Sequence, residues 1–378
     1  PRAGGPGEPT GARLSPVPGP PPRGARSAPG RAAPRRRLAL LGTGTVGTAF
    51  VERYQQLQAR GLELPQVAWL ANSRSVQACG DGLLPALDRA RAAPRREVVL
   101  QGWAEAEALH AGDILVDATA SEGVADWHPE WLARGVSVVT ANKLGHGSLL
   151  ARSQAIVDAQ CQTGARYGDS ATVGAGLPLL GSLRALVAGG DRIHAVEGVL
   201  SGSLAWLFDR HDGSLPFSQL VREAAAAGYT EPDPRIDLSG EDVRRKLLIL
   251  ARAAGLALEA SQVQVQSLLP DALARAPAAE VEALLGLLDG PLEERLRSAR
   301  EAGGNLRYVG RFDAGGASVG LRVLPAGHPL GAGGGTDNRV AVTSDRYPRQ
   351  PLVIQGPGAG AAVTAAALLD DVLRIGAA

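Results

Sequence analysis

One short segment limits what this chain can fold into more than any other. The apolar run at residues 38–41 leads directly into Gly42-Thr-Gly44-Thr-Val-Gly47, and a helical pattern follows to about residue 60. Between a strand and a helix, the first glycine permits a tight turn, the second admits a pyrophosphate and the third allows close packing. The segment therefore predicts a dinucleotide-binding site, with Thr45 and Val46 in the same loop. The alternative is an ordinary glycine-rich turn.

The rest of the first half repeats this alternation of strands and helices. Apolar strand patterns lie at residues 67–71, 113–119 and 136–140. Strands that alternate with helices predict a parallel, doubly wound sheet with right-handed crossovers, that is, an α/β Rossmann-type domain.

After about residue 166 the pattern changes to that of an α+β domain. Helices are expected at residues 179–187, from 204, at 241–254 and at 272–302, and strands at 194–200, 307–312 and 318–324. A strand at 351–354, a glycine-rich turn and an alanine-rich helix to residue 375 end the chain. We therefore expect an arm (1–36), a nucleotide-binding domain (37–168), a substrate domain (169–345) and a C-terminal strand and helix (346–378) that return to the cofactor domain.

Composition narrows the class of protein. The net charge is +1, so nothing in the overall balance calls for nucleic acid or an acidic membrane. No apolar run reaches the length of a membrane span. Cys79 and Cys161 have neither metal-ligand spacing nor a disulfide pattern, which favours a reducing, cytoplasmic setting. Residues 1–36 are rich in Pro, Gly and Arg, which predicts disorder; a basic nucleic-acid arm and a transit peptide stay open as alternatives.

Polar residues after three strands indicate the cofactor and its surroundings. Asn72-Ser73-Arg74 follows the second strand, where NAD-preferring sites usually carry an acid. A guanidinium there favours the 2′-phosphate of NADP(H), with NAD(H) tolerated. Thr119, Ser121 and Lys143 follow later strands, at the edge where open α/β sheets bind ligands. Alternatively, Arg74 and Lys143 are solvated surface charges.

Residues 228–246 combine the groups that an amino-acid dehydrogenase needs. A Pro-Asp-Pro sequence cannot be helical, so Glu231 lies on a rigid loop. Asp242 and Lys246 are four residues apart on one face of the following helix. A lysine at the edge of a buried face can carry a proton. The alternative is a surface ion pair worth about 0.3–0.5 kcal/mol.

Several motifs together resemble the homoserine dehydrogenase family. They are Gly228-Tyr-Thr-Glu-Pro-Asp-Pro with Asp242-Val-Arg-Arg-Lys246, Val173-Gly-Ala-Gly-Leu-Pro178, Gly198-Val-Leu-Ser-Gly-Ser203 and Gly356-Pro-Gly-Ala-Gly360 with Thr364-Ala365. The resemblance covers residues 38–375 and is nearest to the dehydrogenase half of fused aspartate kinase–homoserine dehydrogenases. It implies interconversion of L-homoserine and L-aspartate 4-semialdehyde, and a homodimer formed through the second domain.

The resemblance also implies roles for particular residues. Lys246 would carry the proton, Glu231 and Asp242 would bind the substrate, and Asp237 would support that pocket. Near the nicotinamide the family places the equivalents of Lys143, Thr119, Gly228 and Gly360. The family holds a sodium ion through main-chain carbonyls, which here belong to Ser170, Val173, Ala175 and Leu177; a glutamate commonly stands at the position of Ser170.

Two other functions remain open from the sequence. One is a different NAD(P) oxidoreductase that acts on a semialdehyde. A phosphorylating one is disfavoured, because neither Cys79 nor Cys161 lies in a nucleophile motif. The other is a catalytically silent cofactor-binding module, such as a relic of a fused enzyme.

Overall fold

A computed structural model of the protein describes residues 36–94, 105, 107–331 and 334–377. The arm expected at residues 1–36 lies, apart from Arg36, outside the described residues. Within the described ranges the chain forms two six-stranded sheets. We call the first sheet with the helices that cover it the first lobe, and the second sheet with its helices the second lobe. The predicted pairing of a Rossmann-type domain with a second, α+β domain is confirmed.

The first sheet has the strand order of a doubly wound nucleotide-binding domain. Its strands are β1 (Arg37–Leu41), β2 (Gln66–Ala71), β3 (Val76–Ala78), β4 (Ile114–Asp117), β5 (Ser137–Thr140) and β6 (Tyr167–Gly168). They lie in the order β3-β2-β1-β4-β5-β6, and only the β2–β3 pair is antiparallel among these described strands. The sequence did not predict β3. The Asn72 side chain accepts hydrogen bonds from the N–H groups of Arg74 (2.8 Å) and Ser75 (3.0 Å), and this tight turn reverses the chain.

Helices cover both faces of the first sheet. They are α1 (Thr45–Ala59), α2 (Leu83–Ala92), α3 (Glu122–Asp126), α4 (His128–Ala133) and α5 (Leu150–Thr163). Because side chains alternate along a strand, Leu38 and Leu40 of β1 pack with Phe50 on one face. Leu41 packs with Trp131 on the other face. Burial on both sides explains why these strands are continuous apolar runs.

The second sheet is covered by helices on one face. Its strands are β7 (Ile193–Val199), β8 (Val263–Val265), β9 (Gly304–Asp313), β10 (Gly316–Pro325), β11 (Asp337–Ser344) and β12 (Leu352–Pro357). The helices are α6 (Leu179–Ala188), α7 (Gly202–Arg210), α8 (Phe217–Ala226), α9 (Arg235–Leu238), α10 (Glu241–Ala253), α11 (Asp271–Ala274), α12 (Val281–Leu284) and α13 (Asp289–Glu301). The strand order is β12-β11-β7-β9-β10-β8, and its pairs are antiparallel except the parallel pair of β10 with β8. Leu247 and Leu250 of α10 are buried in this core, so the opposite side of α10 is free to face a cleft.

One expectation for the second lobe was wrong, and β8 and β11 were not predicted. The single helix expected at residues 272–302 is divided into α11, α12, α13 and short 3-10 turns. Pro277 has no N–H to donate and adopts an extended conformation (φ −57°, ψ 149°), which interrupts helix formation there. The unpredicted β11 lies between β7 and β12.

The prediction that the C-terminal segment returns to the cofactor domain is correct for its helix and wrong for its strand. β12 pairs with β11 and so belongs to the second sheet. Only α14 (Ala361–Gly376) returns to the first lobe, where Leu368 and Val372 are buried in the same core as Phe50. Among the helices of the described residues, none is both long and apolar enough to cross a membrane.

Candidate functional site

The three glycines of the first loop each meet a different spatial requirement. Gly42 has φ +98°, and a Cβ atom there would lie 2.9 Å from the carbonyl oxygen of Ala118. A Cβ atom at Gly47 would lie 1.9 Å from the carbonyl oxygen of Gly42, because the helix packs directly on the turn. Gly44 has no atom within 4 Å of that position. The loop is thus open where a pyrophosphate would approach, and no side chain caps the N-terminus of α1.

Two arginines border the cavity beside this loop. A cavity of about 490 Å³ is lined by Gly42, Gly44, Arg74 and Ser121, and also by Arg91 at the end of α2. The Arg74 guanidinium donates to the carbonyl of Arg91 (3.2 Å), and the Arg91 guanidinium donates to the Thr48 hydroxyl. The sequence did not predict a role for Arg91, because no local pattern showed that α2 ends beside β2.

A buried polar network supports the loops that follow β4 and β5. One Asp117 carboxylate oxygen accepts the N–H of Thr119 (2.8 Å), and the other accepts the Asn142 amide (3.0 Å). The same Asn142 amide donates to the carbonyl of Ser121 (2.9 Å). His128 is fully buried, with Nε2 3.0 Å from Asp117. Thr119 and Ser121 are thereby joined to the loop that carries Lys143.

Two lysines from different lobes share one carboxylate. Lys143 Nζ lies 3.0 Å from Oδ1 of Asp242, and Lys246 Nζ lies 2.8 Å from Oδ2. The Lys246 ammonium also donates to the carbonyl of Leu200 (2.7 Å). Burial alone would raise the pKa of Asp242, but the charges of Lys246 and Lys143 and their hydrogen bonds outweigh it and hold that pKa far below its usual value.

This cluster contains all the lysine of the sequence. Lysine and arginine together number 39, and only Lys143 and Lys246 are lysine. Arginine stays protonated in proteins, whereas the lysine amine can release and take up a proton. The scarcity of lysine is thus a second sequence signal for this site, independent of spacing.

The loop before α10 is held by Asp237. Its two carboxylate oxygens accept the N–H of Glu231 (2.8 Å) and the hydroxyl of Ser203 (2.6 Å). The side chain of Glu231 is exposed and lines the cleft. Ser203 had no predicted role, although it lies in one of the motifs that carry the family resemblance.

The structure brings most of the predicted residues to one cleft. A cavity of about 1460 Å³ between the lobes is lined by Thr45, Val46, Thr119, Lys143, Ala175, Gly228, Glu231, Asp237, Asp242, Lys246 and Gly360. It shares Ala118, Thr119 and Ala120 with the smaller cavity beside the glycine loop, so the two are adjacent. The pair can hold a dinucleotide along the first lobe and a small polar substrate against α10.

The proposed cation segment has an irregular backbone. Gly174 has φ +73° and Ala175 has φ +49°, the one non-glycine residue with a left-handed φ in the described part of the chain. The carbonyl of Leu177 accepts the N–H of Leu179 (2.8 Å). Ser170 donates from its N–H and its hydroxyl to the Asp371 carboxylate of α14, both at 3.0 Å. Among the described residues, no cluster of three His, Cys, Asp or Glu side chains could hold a metal.

Comparisons with known proteins assign relatives to both lobes. A family model described as homoserine dehydrogenase, NAD binding domain, matches residues 42–168, and one described as homoserine dehydrogenase matches residues 178–373. A homoserine dehydrogenase of Schizosaccharomyces pombe is 41% identical over 272 residues, which cover 69% of this chain and 72% of that protein.

The chain is also similar to longer bifunctional enzymes and to a protein of solved structure. Bifunctional aspartokinase/homoserine dehydrogenase 2 of Escherichia coli is 41% identical over 362 residues, covering 91% of this chain. That match spans 44% of the Escherichia coli protein. The match to the chloroplastic bifunctional aspartokinase/homoserine dehydrogenase 1 of Zea mays spans 29% of that protein. This chain therefore corresponds to less than half the length of each. A crystal structure of a Candida auris protein of unknown function is 36% identical, with a TM-score of 0.78, over 90% of this chain and 98% of that one.

Proposed function

Because this chain belongs to the homoserine dehydrogenase family, we propose that it reduces L-aspartate 4-semialdehyde to L-homoserine with NADPH and catalyses the reverse oxidation. The observation that carries the proposal is the position of Lys246, Asp242 and Lys143. They lie together in the interlobe cleft, next to the cavity of the glycine loop. A hydride acceptor, a proton donor and a dinucleotide can therefore meet there.

Carboxylates of the cleft would hold the substrate by its ammonium group. Glu231 and Asp242 both line the cleft, and Asp237 fixes the loop of Glu231. Carboxylate–ammonium contacts are charge-assisted hydrogen bonds, which orient as well as attract. An aldehyde that lacks the ammonium should therefore bind poorly.

The bound nicotinamide would supply the hydride to the aldehyde carbon, and side chains of this protein would donate and accept the proton. Lys246, as the ammonium, would protonate the oxygen on which negative charge develops. Lys143 would place a second positive charge near that oxygen. In the oxidation direction the neutral amine of Lys246 would accept the hydroxyl proton, so one residue serves both directions.

The cavity beside the glycine loop supports a preference for NADP(H). Arg74 and Arg91 border it, and a 2′-phosphate would gain hydrogen bonds from two guanidinium groups. No acid takes the place of Asn72-Ser73-Arg74 after β2, so the 2′-hydroxyl of NAD(H) has no carboxylate partner there. NAD(H) would be the weaker cofactor.

We also propose a monovalent cation at the segment between the lobes. The carbonyls of Ser170, Val173, Ala175 and Leu177 would hold sodium, and the left-handed backbone at 174–175 turns successive carbonyls away from a helical direction. Oxygen ligands suit such a hard cation. Its role would be to order the segment at which the chain passes from one lobe to the other.

A homodimer through the second lobe is the assembly we propose. Helices cover one face of the second sheet, where Leu352 and Ile354 of β12 pack. Val353 lies between them, points to the opposite face and is 41% exposed. Pairing such faces would bury Val353. Light scattering coupled to gel filtration measures the mass directly.

A single assay tests the reaction. The purified chain is mixed with NADPH and L-aspartate 4-semialdehyde, and loss of NADPH absorbance is followed. Succinate semialdehyde, which lacks the ammonium, is the control substrate. We expect rapid turnover of the first substrate only. Equal use of both would favour a general semialdehyde reductase, and no turnover with intact NADPH binding would favour a silent module.

A further inference from the structure

Arg252, near the end of α10, forms hydrogen bonds with both lobes. Its guanidinium donates to the carbonyls of His146 (2.6 Å) and Ser148 (2.9 Å) in the first lobe. It also donates to the carbonyl of Leu258 (2.8 Å), just beyond its own helix. The rigid fork of a guanidinium suits this geometry, because several donors are fixed in one plane. Arg252 therefore fastens α10 to the loop that begins at Lys143.

Gly147 brings the two backbones into direct contact at the same place. A Cβ atom there would lie 2.5 Å from the carbonyl oxygen of Lys143 and 2.9 Å from that of Arg245 in α10. The N–H of Gly147 donates to the carbonyl of Lys143 (2.7 Å), which closes the turn. At Gly147 the segment 143–148 thus lies directly against the backbone of α10.

The contact between the 143–148 segment and α10 lies on the same helix that carries Asp242 and Lys246. Lys143 comes from the first lobe, Asp242 and Lys246 come from α10, and both lysines reach one carboxylate. Burial lowers the pKa of the Arg252 guanidinium, although Glu259 partly offsets this. The bonds of Arg252 are therefore partly desolvated, and leaving the carbonyls unpaired is costly.

We propose that Arg252 is a positioning residue for the reaction: it holds the 143–148 loop on α10 and so fixes the distance between Lys143 and Lys246. This inference rests on the proposed function, since it acts through those two lysines. Arg252 need not touch substrate or cofactor. A displacement of about 1 Å in a reacting group can cost about a hundredfold in rate.

The chain offers a matched control in Arg307. That residue is also half-buried, with its pKa lowered by burial, and it donates to the carbonyls of Phe208 (2.9 Å), Leu306 (3.1 Å) and Gly331 (3.3 Å). It borders neither the interlobe cleft nor the cavity of the glycine loop. Arg307→Gln thus removes a half-buried guanidinium away from the lysines, together with its contact to Asp209 (3.4 Å).

The experiment is a double-mutant cycle of Arg252→Gln with Lys143→Met in the full chain. We expect Arg252→Gln to lower kcat about a hundredfold with unchanged NADPH affinity, and to have much less effect when Lys143 is already replaced. Arg307→Gln should leave kcat near that of the parent chain. Hydrogen exchange should speed up at residues 143–149 in Arg252→Gln and stay unchanged there in Arg307→Gln.

The outcomes separate this inference from the proposed function. A parent chain that does not reduce the semialdehyde contradicts the function, and hydrogen exchange still reports on Arg252. If the parent chain turns over, two results would overturn the positioning role. One is that the effects of Arg252→Gln and Lys143→Met on kcat simply multiply in the double variant. The other is that residues 143–149 of Arg252→Gln exchange hydrogen at the parent rate. If Arg252→Gln does not fold, Arg252→Lys keeps the charge with a poorer fork, and the same cycle applies to it.

Discussion

At the scale of the residue, the site is defined by where this chain keeps lysine. Lys246 is 9% exposed, and a charge so enclosed is tolerated because Asp242 and the carbonyl of Leu200 accept its hydrogen bonds. Every other position of the lysine-plus-arginine set is arginine. We therefore expect the two lysines to lie at positions where a compact ammonium, or its deprotonated form, serves a purpose that arginine does not.

Arginine substitutions should separate the roles of the two lysines. Lys246→Arg keeps a positive charge but cannot exchange a proton near neutral pH, so we expect kcat to fall by about 10²–10⁴-fold. Lys143→Arg keeps the charge that we assign to that residue, so it should lose much less. NADPH affinity, measured by fluorescence titration, should be unchanged in Lys246→Arg. A Lys246→Arg enzyme as active as Lys143→Arg would refute the assignment of the proton donor.

The pKa of Asp242 should make stability depend on acid. Burial raises this pKa, but Lys246 and Lys143 lower it more, so the folded value lies below the unfolded value of about 3.9. Such a carboxylate stabilises the fold above the unfolded pKa, and this contribution is lost as pH falls towards the folded one. The stability difference between the parent chain and Asp242→Asn should thus shrink between about pH 6 and about pH 3. Urea unfolding across this range measures it; a constant difference would contradict the shift.

The two arginines beside the glycine loop should decide cofactor choice. Replacing both Arg74 and Arg91 with glutamine removes charge-assisted hydrogen bonds worth about 1.5–3 kcal/mol each. NADPH should therefore bind at least about tenfold more weakly, while NADH binding stays the same. Arg89→Gln is the control, because Arg89 lies on the same helix but pairs with Asp81 (2.9 Å). A matching loss of NADH affinity would point to a general effect on the loop.

At the scale of the element, local patterns predicted structure wherever one segment contains the whole signal. The strand, glycine motif and helix at residues 37–59 were recognisable because their geometry depends on neighbouring residues. The Pro-Asp-Pro loop and α10 were predicted for the same reason. β11 and the breaks between α11 and α13 depend on distant partners and on proline, and Arg91 reaches its cavity only through the packing of α2 on β2.

One buried carboxylate, that of Asp371, contributes to the docking of α14. Asp371 accepts two hydrogen bonds from Ser170, while Asp370 beside it is exposed. Asp371→Ala leaves Ser170 unsatisfied, so we expect a loss of about 1–3 kcal/mol in the free energy of unfolding. Asp370→Ala should change it by less than about 0.5 kcal/mol. Denaturant unfolding of both variants makes the comparison; equal effects would show that the contact between α14 and Ser170 contributes nothing.

At the scale of the whole molecule, the chain crosses between the lobes twice. It leaves the first lobe through residues 169–178 and returns through residues 358–360, after the second sheet is complete. Ala175 on the first crossing and Gly358 on the second both line the interlobe cleft. The site is thus built where the lobes are joined, and α14 completes the core of the first lobe.

Removal of α14 should therefore disable the cofactor lobe, although the glycine loop lies far away in sequence. Leu368, Leu369, Val372 and Ile375 are buried in that lobe. Their burial contributes about 6–12 kcal/mol, comparable to the whole stability of a domain at about 5–15 kcal/mol. A chain that ends at Gly360 should lose NADPH binding, and added peptide 361–377 should restore part of it. Leu368→Ala should cost about 2–5 kcal/mol, whereas Val363→Ala, at an exposed position, should cost little. If the shortened chain binds NADPH as tightly as the full one, the first lobe is stable without its last helix.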